Sequence, residues 1–115
     1  MTEATALEER YIETAVGKIY SRTAGLDTSP LIIAIHGWSQ RNGWRTWEPL
    51  MAPLADAGYC VVSVDMPGWG DTPALDNLPL GGARAAQVVI DIVNGLQKET
   101  AVLMGKSWGG GVAVK

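Results

Sequence analysis

Three unbroken runs of apolar residues constrain the fold of this chain more than any other feature. They are LIIAI at residues 31–35, YCVVSVDM at 59–66 and TAVLM at 100–104. Because none of them alternates apolar with polar residues, each is typical of a strand that is covered on both faces, as the strands of a parallel sheet are. Helical patterns at 46–57 and 83–97 separate the runs. Strands that alternate with helices predict an α/β fold with a parallel sheet and right-handed crossovers.

The helical patterns place apolar residues on one face of each helix. In the second pattern the spacing i, i+4, i+7, i+8 and i+11 predicts a stripe that covers one face of the sheet. The residues of this stripe are Ala85, Val89, Ile92, Val93 and Leu96. In the first pattern, Pro53 argues against an unbroken helix. Ahead of the sheet, residues 10–14 and 18–24 are short runs rich in β-branched and aromatic residues, which predict an antiparallel hairpin. We therefore expect a hairpin followed by three parallel strands, with helices on both faces of the sheet.

Composition excludes several classes of protein. With 115 residues, 47% of them hydrophobic, the chain fits one globular domain or part of one. A net charge of −3 leaves no basic surplus for binding nucleic acid. No apolar run approaches the ~18 residues of a membrane span, and the N-terminus lacks the pattern of a signal peptide, so we expect a cytoplasmic protein without a membrane span. The single cysteine, Cys60, is expected to be a small buried hydrophobe, and one His with one Cys forms no cluster of metal ligands.

The residues GKSWG at 105–109 carry the strongest chemical signal. They follow the third apolar run and precede the first turns of a predicted helix. A G-x-S-x-G pentapeptide in this setting is typical of a nucleophilic serine on a sharp turn. A serine hydroxyl is a weak nucleophile unless it is exposed beside a base and opposite oxyanion donors, and glycines on either side let the backbone pack closely enough for that turn. Ser107 is therefore the candidate nucleophile, and Gly105 and Gly109 are its structural glycines.

Other roles for these residue types are less well supported. GKS also ends a phosphate-binding loop, but the pattern G-x-x-x-x-G-K-[ST] requires a glycine at position 100, which is Thr100. The Lys106 side chain is either solvated or placed to favour an oxyanion or an anionic group of a substrate. His36 is the only histidine. As a base for the serine it would act from a different strand, and a structural role in a turn is the stronger hypothesis.

Three motifs in this order resemble the α/β-hydrolase fold. They are HG at 36–37 after the first apolar run, DMPGWGDT at 65–72 after the second, and GKSWGG at 105–110 after the third. The resemblance covers all but the first residues of the chain. Asp65 and Gly68 match a structural turn of this family, not a catalytic part.

The resemblance implies a role for individual residues. Ser107 would be the nucleophile, and the backbone N–H groups of Trp108 and Trp38 would form the oxyanion hole. His36 and Gly37 would shape the turn that aims the second donor. The implied function is a serine hydrolase that acts on a small ester, thioester or related acyl substrate through an acyl-enzyme intermediate, with no cofactor and no metal.

One departure from the family pattern concerns the catalytic acid and base. A hydrolase of this fold needs an acid and then a histidine after the serine, but only eight residues follow Ser107, and none is acidic or a histidine. We expect residues 1–115 to be the N-terminal part of a single α/β-hydrolase domain, inactive alone, with the acid and histidine beyond Lys115. The third strand would then lie at a sheet edge and expose apolar surface. The alternative is a non-catalytic binding or interaction protein in which the serine turn is structural.

The tryptophans are the remaining feature of interest. Trp38, Trp69 and Trp108 each follow one of the three predicted parallel strands, where ligands bind in open α/β sheets. We interpret them as an aromatic wall for the substrate, beside the alternative that they only pack the loops together. Trp44 and Trp47, at a helix start, are expected to pack. Nothing in the sequence indicates an oligomeric state.

Overall fold

A mixed sheet of five strands forms the centre of the fold. The structure is a computed structural model that describes residues 6–76 and 80–114. Its elements, in chain order, are β1 (Glu8–Thr14), β2 (Gly17–Ala24), β3 (Leu31–Ile35), a 3₁₀ turn (Trp44–Trp47), α1 (Glu48–Asp56), β4 (Cys60–Val64), α2 (Gly82–Gly95), β5 (Val102–Gly105) and α3 (Trp108–Ala113).

The order of the strands brings the three candidate motifs together at the carboxyl ends of the parallel strands. The order is β1-β2-β4-β3-β5. β3 pairs in parallel with β4 on one side and with β5 on the other, while β2 runs antiparallel to both β1 and β4. Ile33 pairs with Val62 of β4 and with Leu103 of β5, so these three strands end at the same level. The arrangement confirms an α/β fold with an N-terminal antiparallel hairpin.

Helices cover both faces of the sheet, as expected. On one face, Met51 of α1 is fully buried in a cluster with Ile32 and Val61. On the other face, α2 and α3 pack against Ile33 and Val62. The side chains that these two helices bury are Ala85, Val88, Val89, Ile92 and Val112. Because neighbouring residues of β3 and β4 enter different clusters, both faces need apolar side chains, and the runs in the sequence are continuous for this reason.

The third apolar run departs from the expectation of a strand covered on both faces. β5 is the last strand in the sheet order, and its Val102 and Leu103 side chains are 57% and 36% exposed. The expectation is wrong for β5 because, within residues 6–76 and 80–114, no further strand pairs with its outer edge. The edge position and the exposed apolar surface agree with the sequence analysis.

The first helix differs from its prediction at both ends and at its proline. It is preceded by the 3₁₀ turn, ends at Asp56, and contains Pro53 without a break. The predicted helix is therefore observed and is unbroken at Pro53, the residue that had argued against this. A proline in a helix removes one backbone donor, and this loss is offset here by the burial of Met51 against the sheet. Gly58, with φ of 103°, ends the turn after the helix in a conformation that glycine adopts readily.

Candidate active site

The candidate nucleophile lies on a strained turn between β5 and α3. Ser107 has φ of 54° and ψ of −114°, a backbone conformation that residues with a Cβ rarely adopt, and its side chain is exposed. The Lys106 N–H donates to the carbonyl of Ile35 over 3.1 Å, and the Gly109 N–H donates to the carbonyl of Lys106 over 2.9 Å. These bonds tie the turn to the end of β3 and leave Ser107 at its tip.

The two glycines of the pentapeptide are required by space. A Cβ at Gly105 would overlap the backbone of Gly109, and a Cβ at Gly109 would overlap the carbonyl oxygens of Ile35 and His36. The turn is therefore packed against itself and against the loop after β3. This close approach is the physical reason for the G-x-S-x-G spacing.

His36 is buried beneath the site and is held by two hydrogen bonds. Its Nε2 accepts the N–H of Met66 over 3.0 Å, so the ring proton belongs on Nδ1, which donates to the Gly37 carbonyl over 2.7 Å. Burial lowers the pKa of His36, and the Gly37 carbonyl and the Asp65 charge oppose that shift less strongly. Both ring nitrogens are occupied within the loops after β3 and β4. The ring is thus a neutral link between these loops.

Asp65 makes a second link between the same loops. Its buried carboxylate accepts the N–H of Trp44 over 2.7 Å on Oδ1 and the N–H of Asp71 over 3.1 Å on Oδ2. A Cβ at Gly43 would lie 2.8 Å from Oδ1, and one at Gly70 would overlap Oδ2, so glycine at both positions makes room for the carboxylate. Sequence reasoning placed Asp65 in a structural turn but missed its partner Trp44, which lies 21 positions away and gives no local signal.

The structure brings Trp38, Trp69 and Trp108 into one cluster. The ring centroids are 5.2 Å apart for Trp38 and Trp69, 5.1 Å for Trp38 and Trp108, and 5.1 Å for Trp69 and Trp108, with the last pair stacked. The His36 ring lies 5.1 Å from the Trp69 ring. Exposure differs within the cluster, because Trp38 is 48% exposed, Trp108 is half-buried and Trp69 is only 3% exposed.

Hydrogen bonds from Trp69 join the loops after β3 and β4. Its indole N–H is shared between the carbonyl oxygens of Trp38 at 3.2 Å and Ser39 at 3.1 Å. Trp38 and Trp69 also line a small cavity of about 170 Å³, whose wall includes Leu75 and Leu80. The other two tryptophans behave as expected of packing residues, since Trp44 is buried and Trp47 packs on the α1 face of the sheet.

These features agree with a comparison against known families. A model of the alpha/beta hydrolase family matches residues 32–115, a range that contains all three motifs of the site. The chain belongs to the alpha/beta hydrolase family. The resemblance read from the sequence is therefore confirmed.

The relatives that this chain matches are longer proteins. The chain is 30% identical to the AB hydrolase superfamily protein YfhM of Bacillus subtilis over 107 residues, which are 90% of this chain and 36% of that protein. It is 31% identical to a 2-hydroxy-6-oxononadienedioate/2-hydroxy-6-oxononatrienedioate hydrolase of Paraburkholderia phymatum, over 99% of this chain and 41% of that one. The solved structure of an epoxide hydrolase from an endophytic Streptomyces matches with a TM-score of 0.81 and 25% identity, over 98% of this chain and 33% of that one. The chain spans 36% and 41% of the length of the two curated relatives.

Three further observations concern metal ligands, membrane-spanning helices and the single cysteine. Among the described residues, no group of three or more His, Cys, Asp or Glu side chains is placed to hold a metal ion. In the same ranges, no helix has the length and apolar character needed to cross a membrane. Cys60 is buried at the far end of β4 from the site, and burial raises the pKa of its thiol.

Proposed function

We propose that this alpha/beta hydrolase is a serine hydrolase with Ser107 as its nucleophile. The observation that carries the proposal is the strained, exposed conformation of Ser107, with φ of 54°, on a turn whose two glycines admit no side chain. Strain of this kind costs of order 1–3 kcal/mol and persists where the surrounding structure enforces it, as at catalytic turns. The Ser107 hydroxyl attacks an acyl carbonyl carbon, the leaving group departs, and water then hydrolyses the acyl-enzyme.

Two backbone N–H groups stabilise the negative charge that develops on the carbonyl oxygen. Trp108 is the first residue of α3, where N–H groups have no acceptor within the helix. The N–H of Trp38 belongs to the loop that packs against the same turn. Fixed donors of this type act where charge appears in the transition state, and removing one typically lowers kcat by about 10²–10³-fold.

The base that takes the serine proton is proposed to lie outside the 115 residues. His36 is unsuited to the role because its two ring nitrogens are already bonded to the Gly37 carbonyl and the Met66 N–H. Members of this family carry the acid and the histidine after the serine in the chain. The longer relatives have room for both, since this chain matches 36% and 41% of their length.

The substrate is proposed to be a small ester, thioester or related acyl compound that rests against the exposed part of the tryptophan cluster. Trp38 offers the largest exposed ring area, Trp108 lies directly after the nucleophile, and Trp69 supports both from below. The relative from Paraburkholderia phymatum is named for an oxo dicarboxylate, so compounds of that class are the second set to test.

The test is covalent labelling of the native-length protein with a fluorophosphonate probe. We expect one labelled site at Ser107, loss of labelling and of ester turnover in Ser107→Ala, and retention of both in the control Ser29→Ala, whose serine lies before β3 at the opposite end of the sheet. Well-folded native-length protein that takes no label would contradict the proposal and favour a non-catalytic binding protein.

A further inference from the structure

We infer that Trp69 is a positioning residue that fixes the two proposed oxyanion donors relative to each other. The inference rests on the proposed function, because it assigns a role within the same site. Trp69 contacts both residues whose N–H groups are the proposed donors, and it does so in two different ways. It donates a hydrogen bond to the backbone of Trp38, and its ring stacks on the ring of Trp108.

The first contact holds the loop after β3. The indole N–H of Trp69 is shared between the carbonyl oxygens of Trp38 and Ser39, at 3.2 and 3.1 Å. Two successive peptide groups are therefore oriented by one donor. The peptide plane of the Trp38 carbonyl and the plane that carries the Trp38 N–H meet at the Trp38 Cα, so fixing the carbonyl also fixes the position of this Cα and restricts where the neighbouring N–H can lie.

The second contact holds the turn that carries the nucleophile. The Trp69 and Trp108 rings stack with centroids 5.1 Å apart and an interplanar angle of 24°. The Trp38 ring closes the triangle with edge contacts of 5.2 Å to Trp69 and 5.1 Å to Trp108. Aromatic pairs of this geometry attract each other beyond the effect of the area that they bury. The three rings therefore resist a relative movement of the two loops.

Trp69 is itself held in place by backbone hydrogen bonds, a ring contact and burial. Its N–H donates to the Met66 carbonyl over 2.9 Å, and its carbonyl accepts the N–H of Thr72 over 3.0 Å. The buried His36 ring supports the Trp69 ring from 5.1 Å and is tied to the N–H of Met66. With 3% exposure, the Trp69 side chain touches little solvent and has little freedom to move.

The test compares Trp69→Phe with Tyr20→Phe in the native-length protein. Both changes keep a buried aromatic ring and remove one side-chain donor, since the Tyr20 hydroxyl donates to Glu9 Oε1 over 3.0 Å on the α1 face. For hydrolysis of p-nitrophenyl butyrate, we expect Trp69→Phe to lower kcat by about tenfold with KM within about twofold, and Tyr20→Phe to change neither by more than about twofold.

Two readouts separate positioning from a merely structural role. Titration with a fluorophosphonate counts active sites, so kcat per titrated site falls if Trp69 positions the donors and is unchanged if the substitution only reduces the folded fraction. A trifluoromethyl ketone forms an adduct that carries the oxyanion, and its inhibition constant should rise in parallel with the loss of kcat/KM. An unchanged kcat per site, or an unchanged inhibition constant, overturns the inference.

Failure of the proposed function gives a different result. In that case the unsubstituted protein takes no fluorophosphonate label and does not hydrolyse the ester. Amide hydrogen exchange of the folded protein still decides whether Trp69 fixes the loop. Faster exchange at Trp38 and Ser39 in Trp69→Phe, but not in Tyr20→Phe, supports the positioning role, and equal exchange in both variants overturns it.

Discussion

At the scale of single residues, the site depends on a serine in a rare backbone conformation and on a buried histidine whose pKa is lowered. Ser107 is held at φ of 54°, and the neighbouring glycines leave no space for a Cβ. His36 is held neutral inside the protein, because burial disfavours its charged form. Each of these states has an energetic cost that the surrounding packing offsets. The contribution of His36 to the free energy of unfolding can be measured separately, because it depends on pH.

We predict that His36 makes stability fall as the pH is lowered. Its pKa is lowered in the folded protein, so below its ordinary value of about 6.5 the unfolded chain binds more protons than the folded chain. Stability is then unaffected above about pH 7.5 and is lost toward about pH 5.5, by at most about 1.4 kcal/mol per pH unit, until the folded pKa is passed.

The measurement is the urea midpoint of the unsubstituted chain and of His36→Gln over that pH range. The Gln side chain keeps an acceptor for the Met66 N–H but does not titrate. We expect the loss of stability toward acid to be smaller in the variant. The Asp65 carboxylate, whose charge opposes the His36 shift, is present in both proteins. Parallel curves for the two proteins would show that His36 does not contribute.

At the scale of elements, the site is made by loops that are joined to one another across the carboxyl ends of β3, β4 and β5. His36, Asp65 and Trp69 each connect the loop after β3 with the loop after β4. The turn that carries Ser107 joins the first of these loops through the N–H of Lys106 and the close approach of Gly109. Because the parallel strands have matched register, their carboxyl ends lie side by side, and the three loops that follow them are close enough to form these links.

We predict that Asp65→Asn loosens this arrangement and destabilises the fold by about 1–3 kcal/mol. The carboxylate accepts N–H groups on both oxygens, from Trp44 and Asp71, whereas an amide offers only one acceptor and directs its NH₂ group at the other N–H. Chemical denaturation measures the loss. Asp71→Asn is the matched control, because the bond at that position uses the backbone and is retained. Equal stability of the two variants would rule out the Asp65 link.

The sequence predicts the strands and the local turn well, but it does not predict the hydrogen bonds that join one loop to another. β3 was predicted with its observed bounds, Leu31–Ile35, because a strand buried on both faces has an unmistakable pattern. The G-x-S-x-G turn was equally clear, since its constraints are local. The bonds of Trp69 to Trp38 and of Asp65 to Trp44 were not predictable, because they join residues about 20 to 30 positions apart and depend on how the loops pack.

At the scale of the whole molecule, the two edge strands of the sheet differ in character. Among the described residues neither β1 nor β5 has a partner strand on its outer side. β1 carries the charged residues Glu8, Glu9, Arg10 and Glu13, whereas β5 exposes the apolar side chains of Val102 and Leu103. An exposed edge with unpaired backbone groups and apolar side chains is a template for pairing with another chain.

We predict that the 115-residue polypeptide, prepared by itself, self-associates through the edge of β5. Val102→Lys places a charge on the edge, where its side chain is 57% exposed, and charges on edge strands oppose pairing between chains. Size-exclusion chromatography with light scattering should show the unsubstituted polypeptide well above 12.2 kDa at high concentration, and Val102→Lys closer to it. The matched control is Leu26→Lys, at a leucine 71% exposed in the turn after β2, which should associate like the unsubstituted polypeptide. A monomer at all concentrations, or an equal effect of the two lysine substitutions, would show that the β5 edge does not drive association.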